Sequence, residues 1–181
     1  KVEGERRAWA YARENNLDMV AVLPSGIIGP GFVRKTPSVD IVENIRKGIF
    51  RMGVMRGNFP LVDVRDVAEV HLRIMQSGRG PRRYVCGGQL LTFDEMIDAL
   101  ECGLGRRIHR VPLSPYLLRG LGRVSDVVGR YVPLGDGLSY EAALLLTAAT
   151  PTDDSTTLQD LGMSWRSPRA AIVESVAGDE T

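Results

Sequence analysis

The chain has 181 residues, of which 44% are hydrophobic and 25% are charged, and its formal net charge at pH 7 is +1. This composition is typical of a globular protein and excludes a disordered chain, a collagen-like repeat and a disulfide scaffold. The near balance of 23 basic and 22 acidic residues argues against a surface that binds nucleic acid or acidic membranes. No apolar run reaches the roughly 18 residues that a membrane span needs.

The cysteines indicate the cellular compartment. Cys86 and Cys102 have no C-x-x-C spacing, as is usual for thiols that stay reduced. No signal-peptide pattern follows Lys1, so we expect a cytoplasmic protein. His71 and His109 do not combine with the cysteines into the spacing of zinc ligands, and we therefore expect no metal site.

Helical and strand periods alternate along the first two thirds of the chain, which is typical of an α/β protein. The apolar run at 19–23 predicts a strand that is buried on both faces. The last third is predicted to be mostly helical. The predicted elements are helices over 2–15, 39–50 and 157–161, strands over 19–23, 59–64, 84–86 and 108–112, and further helices that begin at Asp66, after Thr92, after Ser114, after Ser139 and after Ser167.

Two of these helices begin with the spacing of a capping box, in which a capping side chain is followed three residues later by glutamate. The pairs are Asp66 with Glu69 and Thr92 with Glu95. Asp66 is also a candidate acid, but its capping position favours a structural role. The neighbouring Asp63 and Arg65 are candidates to face a cleft, and the sequence leaves this open.

Five segments carry distinctive motifs, and together they span nearly the whole chain. They lie at 1–5 (KVEGE), 22–31 (VLPSGIIGPG), 61–68 (LVDVRDVA), 84–95 (YVCGGQLLTFDE) and 161–169 (LGMSWRSPR). In this order they resemble motifs of the C-terminal half of the extended short-chain dehydrogenases/reductases, in their NAD-dependent epimerase/dehydratase and dihydroflavonol-4-reductase-like branch. One departure is Leu23, where the family usually has arginine.

The resemblance implies the C-terminal part of a Rossmann-like NAD(P)-binding fold plus a smaller, mostly helical substrate domain. Residues 1–24 and 57–86 would belong to the dinucleotide-binding domain, and residues 25–56 and 87–181 to the substrate-binding domain. The glycine-rich loop and the motif tyrosine of the family would precede Lys1. We therefore expect the chain to be the C-terminal half of a longer enzyme and, by itself, to be inactive and to bind the dinucleotide weakly or not at all.

The resemblance also implies the site residues. Lys1 corresponds to the lysine of the Y-x-x-x-K motif, which lowers the pKa of the tyrosine and hydrogen-bonds the nicotinamide ribose, so it is predicted to be both catalytic and cofactor-binding. Pro24, Ser25, Gly26 and Ile27 are predicted to line the nicotinamide of NADP or NAD.

The implied function is that of an NAD(P)-dependent oxidoreductase acting on a small-molecule substrate, either a carbonyl or dihydroflavonol-like reductase or a hydroxysteroid-type dehydrogenase. A homodimer is expected on the same basis, and no nucleic-acid or membrane partner is expected. One alternative is a nucleotide-sugar epimerase/dehydratase, because arginines bind phosphates. Another is a non-catalytic binding module, if the chain is complete as written. The two basic clusters that carry the first alternative are Arg79/Arg82/Arg83 and Arg106/Arg107/His109/Arg110.

Overall fold

The computed structural model describes residues 2–31, 37–47, 54–55, 57–75, 80–110, 112–113, 116 and 151–177. Helices and strands alternate in them, which confirms the predicted α/β class. The helices are α1 (Val2–Glu14), α2 (Pro37–Arg46), α3 (Val64–Met75), α4 (Phe93–Leu104), α5 (Ser155–Leu161) and α6 (Pro168–Ala177). The strands are β1 (Val20–Pro24), β2 (Gly26–Ile28), β3 (Val54–Met55), β4 (Asn58–Asp63), β5 (Arg82–Cys86), β6 (Gln89–Thr92) and β7 (Pro112–Leu113).

Most predicted elements are present within a residue or two of their expected positions. The helix predicted after Ser139 lies outside the described residues, and so does the helix predicted after Ser114, apart from Tyr116. None of the helices in the described ranges is both long and apolar enough to cross a bilayer.

The described strands pair in three small sheets. β1 pairs with β5 in parallel, so that Pro24 lies opposite Cys86 where both strands end. β2 pairs in parallel with β4, and β4 pairs in antiparallel with β6. β3 pairs in parallel with β7. Only Ser25 separates β1 from β2, so the chain passes from the first sheet to the second within one residue.

The strands of one predicted domain segment lie in two different sheets. The segment 57–86, assigned to the dinucleotide-binding domain, contributes β4 to the second sheet and β5 to the first. The domain boundaries themselves stay a prediction.

β4 separates two hydrophobic cores. Successive side chains of a strand point to opposite faces, and Leu61 and Val62 accordingly enter different clusters. The larger core lies among β4, α2, α4 and α6, and includes Ile45, Phe93 and Ile172. The smaller core lies among β4, α3, α5 and the β1–β5 pair. Both cores therefore depend on the position of this one strand.

α4 begins where its capping box predicts. The hydroxyl of Thr92 accepts from the backbone N–H of Glu95, and the Glu95 carboxylate accepts from the backbone N–H of Thr92 at 2.7 Å. The helix ends at Gly105, whose φ of 62° lies in the left-handed region that favours glycine. Four apolar side chains at helical spacing, Phe93, Met96, Ile97 and Leu100, are fully buried.

The predicted start of α3 is wrong by two residues. The helix begins at Val64 rather than at Asp66. Asp63 takes the capping role, because its carboxylate accepts from the backbone N–H of Arg65 at 2.8 Å. Asp66 lies inside the first turn, so the predicted capping box of Asp66 with Glu69 does not form.

Two strand predictions also need correction. β1 is not buried on both faces: Val20 and Val22 pack on the smaller core, whereas Leu23, which points to the opposite face of the strand, is exposed. The strand predicted over 108–112 is reduced to β7. The backbone N–H of Ile108 donates to the side chain of Glu101 at 2.7 Å instead of to a neighbouring strand.

Directly after β5 the chain lies very close to the backbone of β4. Gly88 has a φ of 67°, and a Cβ atom at this position would lie 2.0 Å from the carbonyl oxygen of Leu61 in β4. Gly105 has nearly the same φ, with open space around the corresponding position. The two glycines therefore share a backbone conformation and differ in the space around them.

Gly88→Ala should destabilise the fold much more than Gly105→Ala. Alanine in the left-handed region costs roughly 1–2 kcal/mol at either position, and the contact with Leu61 should add about 2 kcal/mol at Gly88. Urea unfolding of the two variants measures the difference in the free energy of unfolding. Equal losses would contradict the close approach of Gly88 to β4.

Candidate functional site

Four of the five residues predicted to bind the cofactor form the turn after β1. Pro24 ends β1, Ser25 links the strands, and Gly26 and Ile27 begin β2. Pro24 is exposed and the other three residues are half-buried. The turn follows the carboxyl end of a strand in a parallel pair, and open α/β sheets bind ligands at that edge.

Ser25 attaches this turn to the end of β5. Its backbone N–H donates to the carbonyl oxygen of Cys86 at 3.0 Å, and its hydroxyl donates to the carbonyl oxygen of Gly87 at 2.8 Å. Gly26 lies against β4, since a Cβ atom there would be 2.6 Å from the ring of Phe59. The turn is therefore fixed on two sides, and the Ser25 hydroxyl is engaged within the protein.

Lys1, the fifth predicted site residue, lies outside the described residues, which begin with α1 at Val2. α1 is held against β5 by the carboxylate of Glu5, which accepts from Trp9 Nε1 at 3.0 Å and from Arg83 Nε at 2.7 Å. The bonds from Trp9 and Arg83 outweigh desolvation and lower the pKa of Glu5, the bond from Trp9 having the largest effect.

The carboxylate of Asp154, which the sequence does not single out, lies beside the residues that follow β5. Oδ2 of Asp154 accepts from the backbone N–H groups of Gly87 at 3.1 Å and Gly88 at 3.0 Å, and from Trp165 Nε1 at 2.6 Å. Asp154 precedes α5 and has the sequence appearance of a helix cap. Its approach to β5 depends on contacts between residues more than 60 positions apart, for which no local pattern gives a signal.

Asp63 does not face a cleft. It is fully buried, and its carboxylate accepts from Arg65 Nη2 at 2.6 Å. Arg65 Nη1 also forms an ion pair with Glu174 of α6 at 2.7 Å. Burial acts to raise the pKa of Asp63, but the hydrogen bonds from the side chain and backbone of Arg65 outweigh it, so that this pKa lies below its ordinary value. The group links β4, α3 and α6.

Asp66 is also buried within the protein rather than free to act as an acid. Its carboxylate accepts from the backbone N–H of Arg166 at 2.7 Å and forms an ion pair with the guanidinium of the same residue. The structural role predicted for Asp66 is present, although it consists in holding the segment after α5 and not in capping α3.

The arginines of the two basic clusters are largely engaged with the protein itself. The hydrogen bond that Arg82 donates to Tyr84 and its ion pair with Asp160 at 3.0 Å raise the pKa of Arg82. Arg110 forms ion pairs with Asp98 and Asp94. Arg83 binds Glu5, Arg106 donates to the carbonyl of Arg46, Arg107 and His109 are exposed, and Arg79 lies outside the described residues.

An open cleft of about 480 Å³ lies between α1 and the start of β5. Its lining combines Trp9, Pro81 and four arginines, of which Arg82 and Arg83 carry the ion pairs described above. The strand residues of the cleft lie at the amino end of β5, whereas the Pro24–Ile27 turn lies beside its carboxyl end. The cleft is therefore separate from the predicted cofactor site.

The cysteines and histidines of the described residues suggest no chemistry of their own. Cys86 and Cys102 are free thiols, and burial raises the pKa of Cys86 to about 11, with a contribution from Asp154 and Asp66. Among the residues that the structure describes, no three acidic, histidine or cysteine side chains are grouped as metal ligands would be.

Comparison with known proteins identifies relatives of this site and its surroundings. A model of the NAD dependent epimerase/dehydratase family matches residues 1–87. Sterol demethylase protein B of Methylococcus capsulatus is 29% identical over 163 residues, which cover 89% of this chain and 49% of that protein. Tetraketide alpha-pyrone reductase 1 of Arabidopsis thaliana is 29% identical over 102 residues, covering 56% of this chain and 31% of that protein.

Solved structures share the fold. The crystal structure of gox2253 superimposes with a TM-score of 0.77 at 22% identity, over 96% of this chain and 52% of that one. The yeast methylglyoxal/isovaleraldehyde reductase Gre2, solved with NADPH, gives a TM-score of 0.61 at 18% identity, over 96% of this chain and 47% of that one. The chain thus spans about half the length or less of the relatives it matches.

Asp63→Asn should make the free energy of unfolding less dependent on pH in acid. Because the pKa of Asp63 is lowered in the folded protein, its ionised form stabilises the fold above the ordinary aspartate pKa of about 4. That contribution is lost as the pH falls through the lower, folded pKa. Urea unfolding between pH 7 and pH 2.5 should show a steeper loss for the wild type than for the variant.

The control for this experiment is Asp18→Asn, which removes the charge of an exposed aspartate that forms no ion pair within the part of the chain that the structure describes. A wild-type slope retained in Asp63→Asn would contradict the role of this carboxylate.

Proposed function

We propose that the chain, whose residues 1–87 match a model of the NAD dependent epimerase/dehydratase family, is the C-terminal part of an NAD(P)-dependent oxidoreductase of that family. The reaction proposed is reduction of a carbonyl group, or its reverse, on a small and fairly apolar substrate. Anthocyanidin reductase of Arabidopsis thaliana and the dihydroflavonol 4-reductase/flavanone 4-reductase of Malus domestica, among the sequence relatives, support this choice by their names.

The observation that carries the proposal is the placement of the Pro24–Ile27 turn. The turn lies where two parallel strands end side by side, and the pairing of Pro24 with Cys86 aligns these ends. Dinucleotides bind outside the carboxyl ends of strands in such sheets. The Pro24–Ile27 turn also lies within the residues 1–87 that match the family model.

The residues of the turn fit a nicotinamide in a specific way. Both donors of Ser25 are bonded to the end of β5, so they shape the turn rather than bind the carboxamide. Pro24 is exposed, and its ring would offer an apolar surface to the cofactor, while Gly26 and Ile27 would contribute backbone groups. A bound nicotinamide supplies or accepts the hydride.

Lys1 assists proton transfer in this proposal by lowering the pKa of the tyrosine that carries the proton. Its ammonium group would favour the phenolate of a tyrosine four residues earlier, one helical turn away, and would bind the ribose. The tyrosine then donates a proton to the carbonyl oxygen of the substrate during reduction, or accepts it in the reverse direction.

Three further points belong to the proposal. The dinucleotide-binding domain would include residues 1–24 and 57–86, with the remainder forming the substrate domain. The enzyme would be cytoplasmic, in keeping with its free thiols. It would also form a homodimer.

Lys1→Met in the full-length protein should lower kcat/KM by about 100-fold or more, because the general acid loses the charge that adjusts its pKa. The assay follows NADPH or NADH oxidation with a dihydroflavonol as substrate, and a nucleotide sugar tests the epimerase alternative by product analysis. Lys47→Met serves as the control, since Lys47 is an exposed lysine of the segment after α2 that pairs with Glu43.

Activity with the dihydroflavonol in the wild type that is lost in Lys1→Met but kept in Lys47→Met is the expected pattern. An unchanged rate in Lys1→Met, or turnover of the nucleotide sugar alone, would contradict the proposed reaction.

A further inference from the structure

Two consecutive peptide groups at the end of β5 are held from both sides. In the first, the carbonyl of Cys86 accepts from the Ser25 backbone and the N–H of Gly87 donates to Asp154. In the second, the carbonyl of Gly87 accepts from the Ser25 hydroxyl and the N–H of Gly88 donates to Asp154. Ser25 thus binds both oxygens, and one carboxylate oxygen of Asp154 binds both N–H groups.

This arrangement connects Asp154 to the Pro24–Ile27 turn through the backbone. A carboxylate that accepts from a peptide N–H polarises that peptide and strengthens the bond that its carbonyl accepts. Both bonds of Ser25 are placed to be strengthened in this way. The charge of Asp154 is therefore connected to the turn without touching it.

The geometry of α5 shows that Asp154 is used for this contact rather than for its own helix. Asp154 stands at the capping position of α5, but its side chain makes no capping hydrogen bond. The carboxylate of Asp153 instead accepts from the backbone and hydroxyl of Ser155, at 3.1 and 2.7 Å. Trp165 Nε1 donates to Asp154 at 2.6 Å and fixes the carboxylate against β5.

Positions 87 and 88 have no room for a side chain larger than that of glycine. A Cβ atom on Gly87 would lie 2.9 Å from Cβ of Thr152 and 3.0 Å from Oδ2 of Asp154. A Cβ atom on Gly88 would overlap the backbone of Leu61. The segment around Asp154 can therefore reach the peptide groups directly, without an intervening side chain.

We infer that Asp154 is a positioning residue for the nicotinamide end of the cofactor site, acting through the Gly87–Gly88 peptides on the Pro24–Ile27 turn. This inference rests on the proposed function. It assigns Asp154 no contact with cofactor or substrate. Loss of its charge should leave the rest of the dinucleotide site intact, because the connection reaches only the turn.

The test compares Asp154→Asn with Asp153→Asn in the full-length protein. The two variants remove the same charge from adjacent residues, and only the first disturbs the bonds to Gly87 and Gly88. Dissociation constants are measured for NADPH and for 2′-phospho-ADP-ribose, which lacks the nicotinamide, or for NADH and ADP-ribose if the enzyme uses NAD.

Asp154→Asn should raise the dissociation constant of the whole dinucleotide about tenfold, the scale of one hydrogen bond to a charged group. Binding of the truncated nucleotide should stay within about twofold of wild type. Asp153→Asn should change neither. Equal weakening of both nucleotides in Asp154→Asn would overturn the inference, because a general loss of structure acts on the whole site.

Amide hydrogen exchange separates this inference from the proposed function. The Ser25 amide should exchange faster in Asp154→Asn than in Asp153→Asn, whether or not nucleotide is present, and unchanged exchange would overturn the inference. If the wild type binds neither nucleotide, the proposed function fails and with it the positioning role, even where exchange responds.

Two further variants keep the test informative if Asp154→Asn does not fold. Trp165→Phe retains an aromatic ring but removes one of the three donors to Asp154, and should shift NADPH binding in the same direction by a smaller factor. Ser25→Ala removes the hydroxyl bond to Gly87, so the effect of Trp165→Phe should shrink in that background. Additive effects of the two changes would overturn the inference.

Discussion

Gly88 brings the end of β5 into direct contact with the backbone of β4, and the organisation of the candidate site depends on that contact. A Cβ atom at Gly88 would lie 2.0 Å from the carbonyl oxygen of Leu61. On one side of β4, Leu61 enters the larger core, and on the other side Val62 enters the smaller one. The contact at Gly88 therefore places the end of β5 beside the strand that both cores share.

From this contact the arrangement extends to the turn after β1. The Gly87–Gly88 peptides bind Ser25 through their oxygens and Asp154 through their N–H groups. The buried carboxylates of Asp63 and Asp66 hold the neighbouring elements, the first through Arg65 to α6 and the second through the segment at Arg166. The acidic residues near the turn thus maintain its surroundings.

Local patterns in the sequence predict the described helices and the strands β1, β4 and β5, but not the short strands β2, β3 and β6. The capping box at Thr92 and the glycine at Gly162 predict the ends of their helices, because the relevant hydrogen bonds and backbone angles involve residues close in the chain. The start of α3 could not be predicted from the local sequence, since Asp63 and Asp66 are both suitable capping residues. Only the folded chain shows that Asp66 binds Arg166 instead of capping the helix.

The turn at Pro24–Ile27 could be found because its sequence resembles a family motif, and the strand pairing places it at the expected edge. Asp154 could not be found in this way. Its partners Gly87 and Gly88 are 67 and 66 residues distant, and its own surroundings resemble an ordinary helix cap.

The basic clusters show that the sequence can also suggest a site that the fold does not leave open. Arg82 and Arg110 look available for phosphate in the sequence but form ion pairs with aspartates in the fold.

The most direct test of the central claim is an NMR titration of the full-length, nitrogen-15-labelled protein with NADPH and with NADH. If the carboxyl edge of β1 and β5 binds the nicotinamide, the amide signals of Ser25, Gly26 and Ile27 shift with the dinucleotide, while that of Gly105 does not. Binding that shifts only the signals of the arginine-lined cleft at Arg82 and Arg83, and none in the turn, would contradict the account.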